Sequence, residues 1–420
     1  MKNKIFILLL LASTGLISSC TSTSKVYQVD YTYLYDHDQK IIKPKFKLFH
    51  EQLDSSILYF QFSSNDVLYG KFGQDSSSMA NLKMKYRIKL ENKSGILDSM
   101  TVDLVDFGEN NENSLLQGKI KLKLAPDLVY DIELRFRDEF RDLNVVHYLK
   151  ADKRKNGNEQ FFLIKQNENV LISNTLNENQ EIEIFKSPLI AENDFILETS
   201  NQESAKAAPP FTMAVLNEKI FHTEFRDTVR FENNKLDLNI SDKITRITPL
   251  NQDNFNAFYI FYYYNGYPEL INSEHLIEPL RYISTTNEYN ELKMAGDKYK
   301  AVENFWIALA RDQQIAKKMI AEFYSRVELA NQQFTSLKEG WKTDRGIIYI
   351  VYGIPFLVEI HGDREFWLYG EENNILSVKF VFEKQNGTWS NNEYNLIKDT
   401  NYKNNWYRAV DAWRQGRVYQ

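Results

Sequence analysis

Strand-forming residues dominate the first third of the chain, and polar loops separate them. The segments 82–90 and 119–124 alternate polar and apolar side chains with the period of a half-buried strand. Their lysines fall on the wet face, where they guard exposed edges, although contact with lipid headgroups is an alternative role. Residues 26–155 are therefore predicted to form an antiparallel β-sandwich-like domain. Its clearest strands are 56–62, 82–90, 100–107, 119–124 and 129–136.

A second β-rich segment follows the polar run 153–159, in which Asn156-Gly157 is a turn signal. The sequence Ala207-Ala208-Pro209-Pro210 interrupts this segment as an extended loop. We predict a second β-sandwich-like domain over 156–245. Its expected strands are 160–164, 170–173, 181–185, 195–198, 211–215, 228–231 and 236–240.

The period changes from two to 3.6 beyond residue 285. Thr285 and Glu288 have the spacing of a helix-capping box, and a helical pattern continues towards Arg311. Glu322 and Arg326 are then spaced to pair on the wet face of a second helix. Apolar residues recur every four positions along this helix, with further apolar residues beside them, and together they form its core-facing stripe. The stripe comprises Ile315, Met319, Phe323 and Val327, flanked by Ala316, Ile320, Ala330 and Phe334.

A loop-forming stretch joins this helix to the next elements. Trp341 stands between glycines, which is the usual setting of a ring that a loop buries as an anchor. Thr343 and Asp344 fix a tight turn by accepting hydrogen bonds from nearby backbone N–H groups. Gly346 permits backbone angles that other residues resist. The apolar run 347–352 predicts a strand covered on both faces.

Short connections favour antiparallel neighbours for the strands that follow, so residues 246–420 are predicted as an α+β domain of helices on an antiparallel sheet. Asn386-Gly387 is a hairpin signal, and a last helix is expected over 405–414. The remaining strand predictions are 356–360, 365–369 and 376–383. The fold class is thus multidomain: two β-sandwich-like modules followed by an α+β domain.

The stretch Gly340-Trp341-Lys342-Thr343-Asp344 resembles the motif of the GWxTD-domain proteins of bacterial envelopes. The neighbouring patterns Phe323-Tyr324-x-Arg326-Val327 and Tyr349-x-x-Tyr352-Gly353-x-Pro355 are also similar to that family. The resemblance covers the last third of the chain. It implies an envelope protein with β-rich N-terminal modules, and it implies no activity. The motif residues expected to be structural are Gly340, Trp341, Thr343, Asp344, Arg345, Gly346, Tyr349 and Gly353.

The first residues indicate targeting. Lys2 and Lys4 precede the apolar run 5–11, and Cys20 is the only cysteine of the chain. The segment 1–19 is similar to a bacterial lipoprotein signal, with lipidated Cys20 heading a polar tether over 20–25. An ordinary secretory leader with an incidental cysteine is the alternative. Multiple acyl chains, palmitate among them, hold a protein stably on a membrane. Because no acid follows Cys20, the resemblance to sorting rules favours the periplasmic face of the outer membrane.

The composition excludes some classes of function. The net charge of −6 argues against a partner with a phosphate backbone, so no nucleic acid is expected. No sequence motif of a nucleotide-binding, metalloprotease or serine hydrolase site is present. The six histidines lack metal-ligand spacing, and His37 between Asp36 and Asp38 is expected in a solvated loop. We therefore expect neither a metal nor a cofactor, and we assign no catalytic residue.

Two residue sets leave functional alternatives open. Asp344, His361 and Glu365 could share a cleft and perform acid–base chemistry, with Arg345, Tyr349 and Asp363 nearby. The simpler expectation is that Asp344 caps its turn, Arg345 pairs with a carboxylate and His361 is exposed. Aromatic rows also stack on sugars, although they more often fill a core. The row in question is Tyr259, Tyr262, Tyr263 and Tyr264.

Three hypotheses follow. The first is a lipid-anchored, non-catalytic binding or assembly module of an envelope complex, with an envelope protein as partner. The second is an envelope hydrolase acting on glycan or peptide. The third is a carbohydrate-binding lipoprotein.

Overall fold

The computed structural model describes most of the chain beyond the leader. The described residues are 30–36, 39–71, 78–108, 114–154, 158–179, 181–213, 221–251, 255–371, 374, 376–385 and 390–418. The predicted signal 1–19, Cys20, the tether 20–25, His37 and both Asn-Gly turn signals lie outside them.

The first β-rich segment folds into two facing antiparallel sheets. One sheet has the strand order β1-β2-β6, and the other has β5-β4-β7-β8 with the short β3 also on β4. Side chains from both sheets form one buried cluster, in which Phe60 of the first sheet lies 6.1 Å from Phe136 of the second. The strands are β1 (Lys45–Gln52), β2 (Ser55–Ser63), β3 (Tyr69–Lys71), β4 (Ser78–Leu90), β5 (Ile96–Asp106), β6 (Leu115–Lys123), β7 (Val129–Asp138) and β8 (Leu143–Asp152).

The second segment also consists of two facing sheets, with orders β10-β9-β12-β15 and β11-β17-β16-β13-β14. Only the β11–β17 pair is parallel among the described strands. Phe162 and Phe258 stack at 4.5 Å between the sheets. The strands are β9 (Phe162–Gln166), β10 (Asn169–Leu171), β11 (Thr175–Leu176), β12 (Glu181–Lys186), β13 (Asp194–Ser200), β14 (Phe225–Arg230), β15 (Lys235–Asn239), β16 (Ile244–Pro249) and β17 (Phe258–Tyr262).

Two details of this segment differ from the strand predictions. Residues 211–213 of the predicted strand 211–215 lie outside any strand, after a turn at Pro209, and the rest of that prediction lies outside the described residues. The predicted division at residue 245 falls inside β16. β16 pairs with both β13 and β17, so the aromatic strand β17 belongs to a sheet of the second sandwich.

The C-terminal segment packs helices against a four-stranded antiparallel sheet of order β18-β19-β20-β21. A single buried cluster unites the helices with the inner face of this sheet. The elements are α1 (Ser273–Ile277), α2 (Thr286–Met294), α3 (Lys298–Ala310), α4 (Gln313–Phe334), α5 (Asp344–Tyr352), β18 (Leu357–His361), β19 (Arg364–Tyr369), β20 (Val378–Lys384), β21 (Tyr394–Leu396) and α6 (Tyr402–Arg414). The fold class predicted from the sequence is therefore confirmed.

Several helix predictions are also confirmed. The Thr285 hydroxyl and the Glu288 side chain form the reciprocal bonds of a capping box at the start of α2. Glu322 accepts a 2.7 Å hydrogen bond from Arg326 Nε. Arg326 itself, however, is buried, whereas the sequence predicts it on a wet face. Ile315, which the sequence predicts in the core stripe, is 42% exposed. The stripe thus begins at Ala316.

The predicted strand 347–352 is wrong, because these residues form most of helix α5. Every residue of α5 is buried, so no wet face interrupts the apolar run. A helix buried on all sides shows no 3.6-residue period and cannot be distinguished from a buried strand by pattern alone. The flanking signals were nevertheless present: Thr343 is an N-cap residue, and Gly353 follows the last turn at a φ of +84°.

Candidate functional site

The motif residues begin a tight corner between α4 and α5. Gly340–Lys342 forms one turn of 3-10 helix, and Thr343 follows as the N-cap of α5. The Thr343 hydroxyl donates to Gly340 O at 2.7 Å and accepts from Gly346 N at 3.0 Å. One hydroxyl therefore joins the turn to the first turn of the helix and satisfies a helix N–H group that would otherwise lack a partner.

Three glycines of this region allow close packing. A Cβ atom on Gly340 would lie 1.9 Å from Ala330 O of α4, and one on Gly346 would lie 2.0 Å from Gly340 O. A Cβ on Gly353 would meet the Arg326 guanidinium at 2.7 Å. Because the obstacles at Gly340 and Gly346 are backbone atoms, no side chain is compatible with the corner at these positions.

The Trp341 ring is buried, as expected for an anchor, with 5% of the residue exposed. Tyr282 contacts it edge-on at 6.3 Å, and Lys206 Nζ lies 5.3 Å from the ring centroid. Ala207, next to that lysine, donates its N–H to Lys342 O at 2.8 Å. The loop between β13 and β14 thus closes over the corner from the second sandwich.

Asn331 on α4 is a partner of the corner that sequence reasoning missed. It is 1% exposed and accepts the Trp341 N–H at 3.1 Å through Oδ1, while its Nδ2 donates to Pro268 O at 3.1 Å. Tyr267 adds a second link, since its hydroxyl accepts the Gly340 N–H at 3.3 Å. The only sequence signal was a polar residue beside the apolar stripe of α4.

Asp344 ties the start of α5 to the last strand. Its Oδ2 accepts the Leu396 N–H at 3.0 Å, and its Oδ1 lies 3.5 Å from Lys398 Nζ. The expectation that Asp344 caps its own turn is thus wrong in detail: Thr343 caps the helix, and Asp344 reaches across to β21.

Arg345 and Glu365 form a buried ion pair, with Arg345 Nη1 3.0 Å from Glu365 Oε2. Arg345 also donates to Asn392 O at 3.0 Å and lies 4.1 Å from the Tyr394 ring centroid. Burial by itself lowers the pKa of the Arg345 guanidinium, but the Glu365 carboxylate, together with Tyr35 and Tyr394, raises that pKa overall. Both charges are therefore compensated inside the core.

The second carboxylate oxygen of Glu365 accepts two further hydrogen bonds. Glu365 Oε1 accepts hydrogen bonds from Trp367 Nε1, at 2.8 Å, and from the Tyr35 hydroxyl. Burial and the adjacent carboxylate raise the pKa of Tyr35 well above its ordinary value, so it stays a donor. Tyr349 completes the link by donating to Tyr35 O at 2.9 Å. The segment 30–36 is thereby attached to α5 and β19.

The residues proposed from the sequence for acid–base chemistry do not share one face of the sheet. His361 pairs with Arg364 across the β18–β19 hairpin, and Glu365 pairs with Ile360, so His361 and Glu365 project from opposite faces. His361 is exposed, as expected, whereas Asp344 and Glu365 are buried and bonded. The structure thus does not bring the three groups together on one face.

The tyrosine row packs within the protein. Tyr259, Phe261 and Tyr263 form a ladder along one face of β17 and belong to a cluster that includes Leu337, beside the corner. The Tyr263 hydroxyl donates to Ser336 O at 2.9 Å. None of the four tyrosines is exposed; all are partly buried. A platform that stacks on sugars requires exposed rings, and this row does not provide them.

The described residues also lack a metal-binding cluster and a membrane-spanning helix. No group of three or more histidine, cysteine, aspartate or glutamate side chains is arranged to hold a metal ion in that part of the chain. Among the helices of the same part, none combines the length and apolar character needed to cross a bilayer.

These observations define a multidomain protein in which two β-sandwich-like segments precede a C-terminal domain of helices on an antiparallel sheet, joined at a buried corner. The family model of the GWxTD domain matches residues 248–415. Residues 248–415 accordingly form a GWxTD domain, and the resemblance noted from the motif is confirmed.

Two solved structures are similar to limited parts of the chain. A calcium-binding mutant of Bacteroides uniformis beta-glucuronidase 2 matches at 8% identity over 29% of this chain and 13% of that chain, with a TM-score of 0.18. The X-ray structure of Northeast Structural Genomics Consortium target SoR45 matches at 12% identity over 27% of this chain and 84% of that chain, with a TM-score of 0.16. Neither likeness carries an argument. No curated protein matches the sequence.

We predict that Trp341→Ala lowers the free energy of unfolding by about 3–5 kcal/mol, because the cavity left by a buried ring does not close. Thermal or denaturant unfolding followed by circular dichroism measures the loss. Tyr299→Ala is the control, since Tyr299 is 59% exposed. An equal effect of the two substitutions would show that Trp341 is not an anchor.

We predict that Glu365→Gln costs about 3–5 kcal/mol, because it leaves the buried Arg345 charge uncompensated. Glu383→Gln is the matched control: Glu383 pairs with Arg364 on the same sheet, at 2.9 Å, but both side chains are about half exposed. We expect that control to change stability by less than about 1 kcal/mol. Urea unfolding compares the two, and similar costs would contradict the assigned burial.

Proposed function

We propose that this protein is a non-catalytic binding or assembly module of a bacterial envelope complex. In this proposal, lipid on Cys20 holds it on the outer membrane, facing the periplasm, and an envelope protein is its partner.

The observation that carries the proposal is that the chemical groups of the motif are already engaged within the fold. Asp344 is bonded to β21, Arg345 to Glu365, and both Glu365 oxygens to donors. An acid or base must be able to exchange a proton with a substrate. Groups that are buried and bonded in this way serve packing, which favours a binding role over a hydrolase.

The corner also supports a scaffold function through the segments attached to it. Tyr35 brings residues 30–36 to the sheet, and Ala207 brings the loop of the second sandwich to Lys342. Lys206 adds an ion pair to Glu278 of the helical layer at 2.7 Å. A chain whose modules are bonded to one another presents its outer surfaces in a fixed arrangement, as an assembly module needs.

The envelope location rests on the sequence. The positive end and apolar run of residues 1–19, the single Cys20 and the polar tether are the pattern of a lipidated leader. The presence of a GWxTD domain agrees with an envelope protein by resemblance. The hydrolase and carbohydrate-binding alternatives lack a comparable observation, because their candidate side chains are divided, buried or packed.

We predict that Cys20→Ser moves the protein from the membrane to the soluble fraction and abolishes incorporation of a labelled fatty acid. Ser22→Ala, in the same polar stretch, is the control and is expected to remain on the membrane. Fractionation of cells expressing each chain measures the distribution. A Cys20→Ser chain that keeps both the label and the membrane position would exclude lipidation at this residue.

We also predict that the full chain, solubilised in mild detergent, copurifies with a stoichiometric envelope protein. The control is a preparation washed in high salt and harsh detergent, from which the partner should be lost. Quantitative mass spectrometry of both preparations provides the ratio. A chain that elutes without a reproducible partner under the mild conditions contradicts the assembly function.

A further inference from the structure

β5 and β6 are two long edge strands of the first sandwich, each with a single neighbouring strand in the described part of the chain. β5 pairs only with β4, and β6 pairs only with β2. Each therefore presents a row of backbone N–H and C=O groups along its outer edge, a template that another strand can use. β5 has eleven residues and β6 has nine, so neither edge is short.

These two edges lie on the same side of the sandwich. The opposite edges, β1 and β8, contact each other: a 2.9 Å hydrogen bond joins His50 to Asp152 O, and the rings of Phe46 and His147 lie 5.4 Å apart. Because β1 and β8 close one side, β5 and β6 form the other. They belong to different sheets, so this open side carries one free edge from each layer.

The open side is unusually apolar for a surface. Along β5, Met100 and Val105 are 57% and 48% exposed, and Leu115 at the start of β6 is 60% exposed. Val102 and Leu104 pair with the buried Met84 and Leu82, which places them on the core-facing side, yet they are only partly covered. A long edge of this kind is a liability in an isolated molecule.

The two edge strands carry opposite charges. β5 contains no basic residue, and of its three aspartates only Asp103 lies on the outer face, since Asp98 and Asp106 pair with buried residues of β4. β6 contains no acidic residue, and its three lysines, Lys119, Lys121 and Lys123, lie on its outer face. Asp103 and all three lysines are exposed. Pairing of two β5 strands would bring Asp103 to the same face as a second Asp103, while pairing of β5 with β6 brings Asp103 to the face that carries the three lysines.

We propose that this open side is the docking surface for a second copy of the chain, with β5 of one protomer pairing with β6 of the other. Since both edges lie on one side and in different layers, a single two-fold axis forms both β5–β6 pairs at once. Each sheet of one sandwich is then extended by a sheet of its partner. The apolar positions of both edges become covered. This pairing does not depend on the proposed lipid anchor.

The test is the oligomeric state of the full chain in mild detergent, measured by light scattering with the detergent contribution subtracted. We expect a dimer. Asp103→Lys and Lys121→Asp each introduce repulsion at both β5–β6 pairs and should weaken dimerisation about tenfold. The double variant exchanges the two charges between the strands and should dimerise more strongly than either single variant.

Matched controls separate charge at the edges from charge in general. Asp227→Lys lies on the exposed edge strand β14, and Lys318→Asp lies on the exposed side of α4. Both should leave the dimer and the melting temperature unchanged, and circular dichroism should show that every variant keeps the parental secondary structure.

Three results would overturn the proposal. One is a parent chain that remains monomeric, which would leave the open side to a different protein. Another is association that survives both single variants, as expected if the lipid alone brings chains together. The third is an equal loss of dimer in the control variants.

Discussion

The close approach of the Gly340–Lys342 turn to the backbone of α4 is the constraint on which the C-terminal domain depends. Nothing larger than a hydrogen atom fits between Gly340 and Ala330 O. That contact fixes the direction in which the chain leaves α4, so that Trp341 enters the core and Thr343 begins α5 at once. The position of α5 then determines where the sheet lies, since α5 contacts β21 through Asp344.

The ion pair between Arg345 and Glu365 has a different physical effect. A buried pair gains little net stability, because desolvation of both charges offsets their attraction. Its geometry is demanding, however, since Glu365 must accept from Arg345, Trp367 and Tyr35 together. An alternative packing that displaced any donor would leave a buried charge without a partner. The network therefore selects one arrangement of α5, β19 and the segment 30–36 rather than adding stability.

Much of the architecture follows from local patterns, and the exceptions have a common cause. Thr285 and Glu288, or Glu322 and Arg326, interact within a few residues, so their spacing alone predicts the contact. Residues 347–352 form a helix that tertiary packing buries on every side. Because no side faces water, the sequence lacks the 3.6-residue period that would have predicted the helix.

The candidate site was less predictable than the fold. Asn331 contacts the corner from α4, ten positions before Trp341, and Tyr35 bonds to Glu365 across 330 positions. Such contacts depend on how elements assemble, which no window of a single sequence contains. The pairing of Arg345 with a carboxylate was expected, but its burial was not, because charged residues are ordinarily assigned to the surface.

Because the motif residues are buried and hold parts of the fold together, the motif also limits which surfaces of the protein are available for binding. The corner is covered by Lys206 and Ala207 of one sandwich, and the adjoining sheet edge is covered by residues 30–36. A partner cannot reach Trp341 or Arg345 without displacing these segments, and that would expose a buried ring and a buried charge. In the proposed binding function, recognition therefore uses surfaces outside the motif, and the edge strands β5 and β6 of the first sandwich offer apolar area and backbone groups that the buried corner lacks.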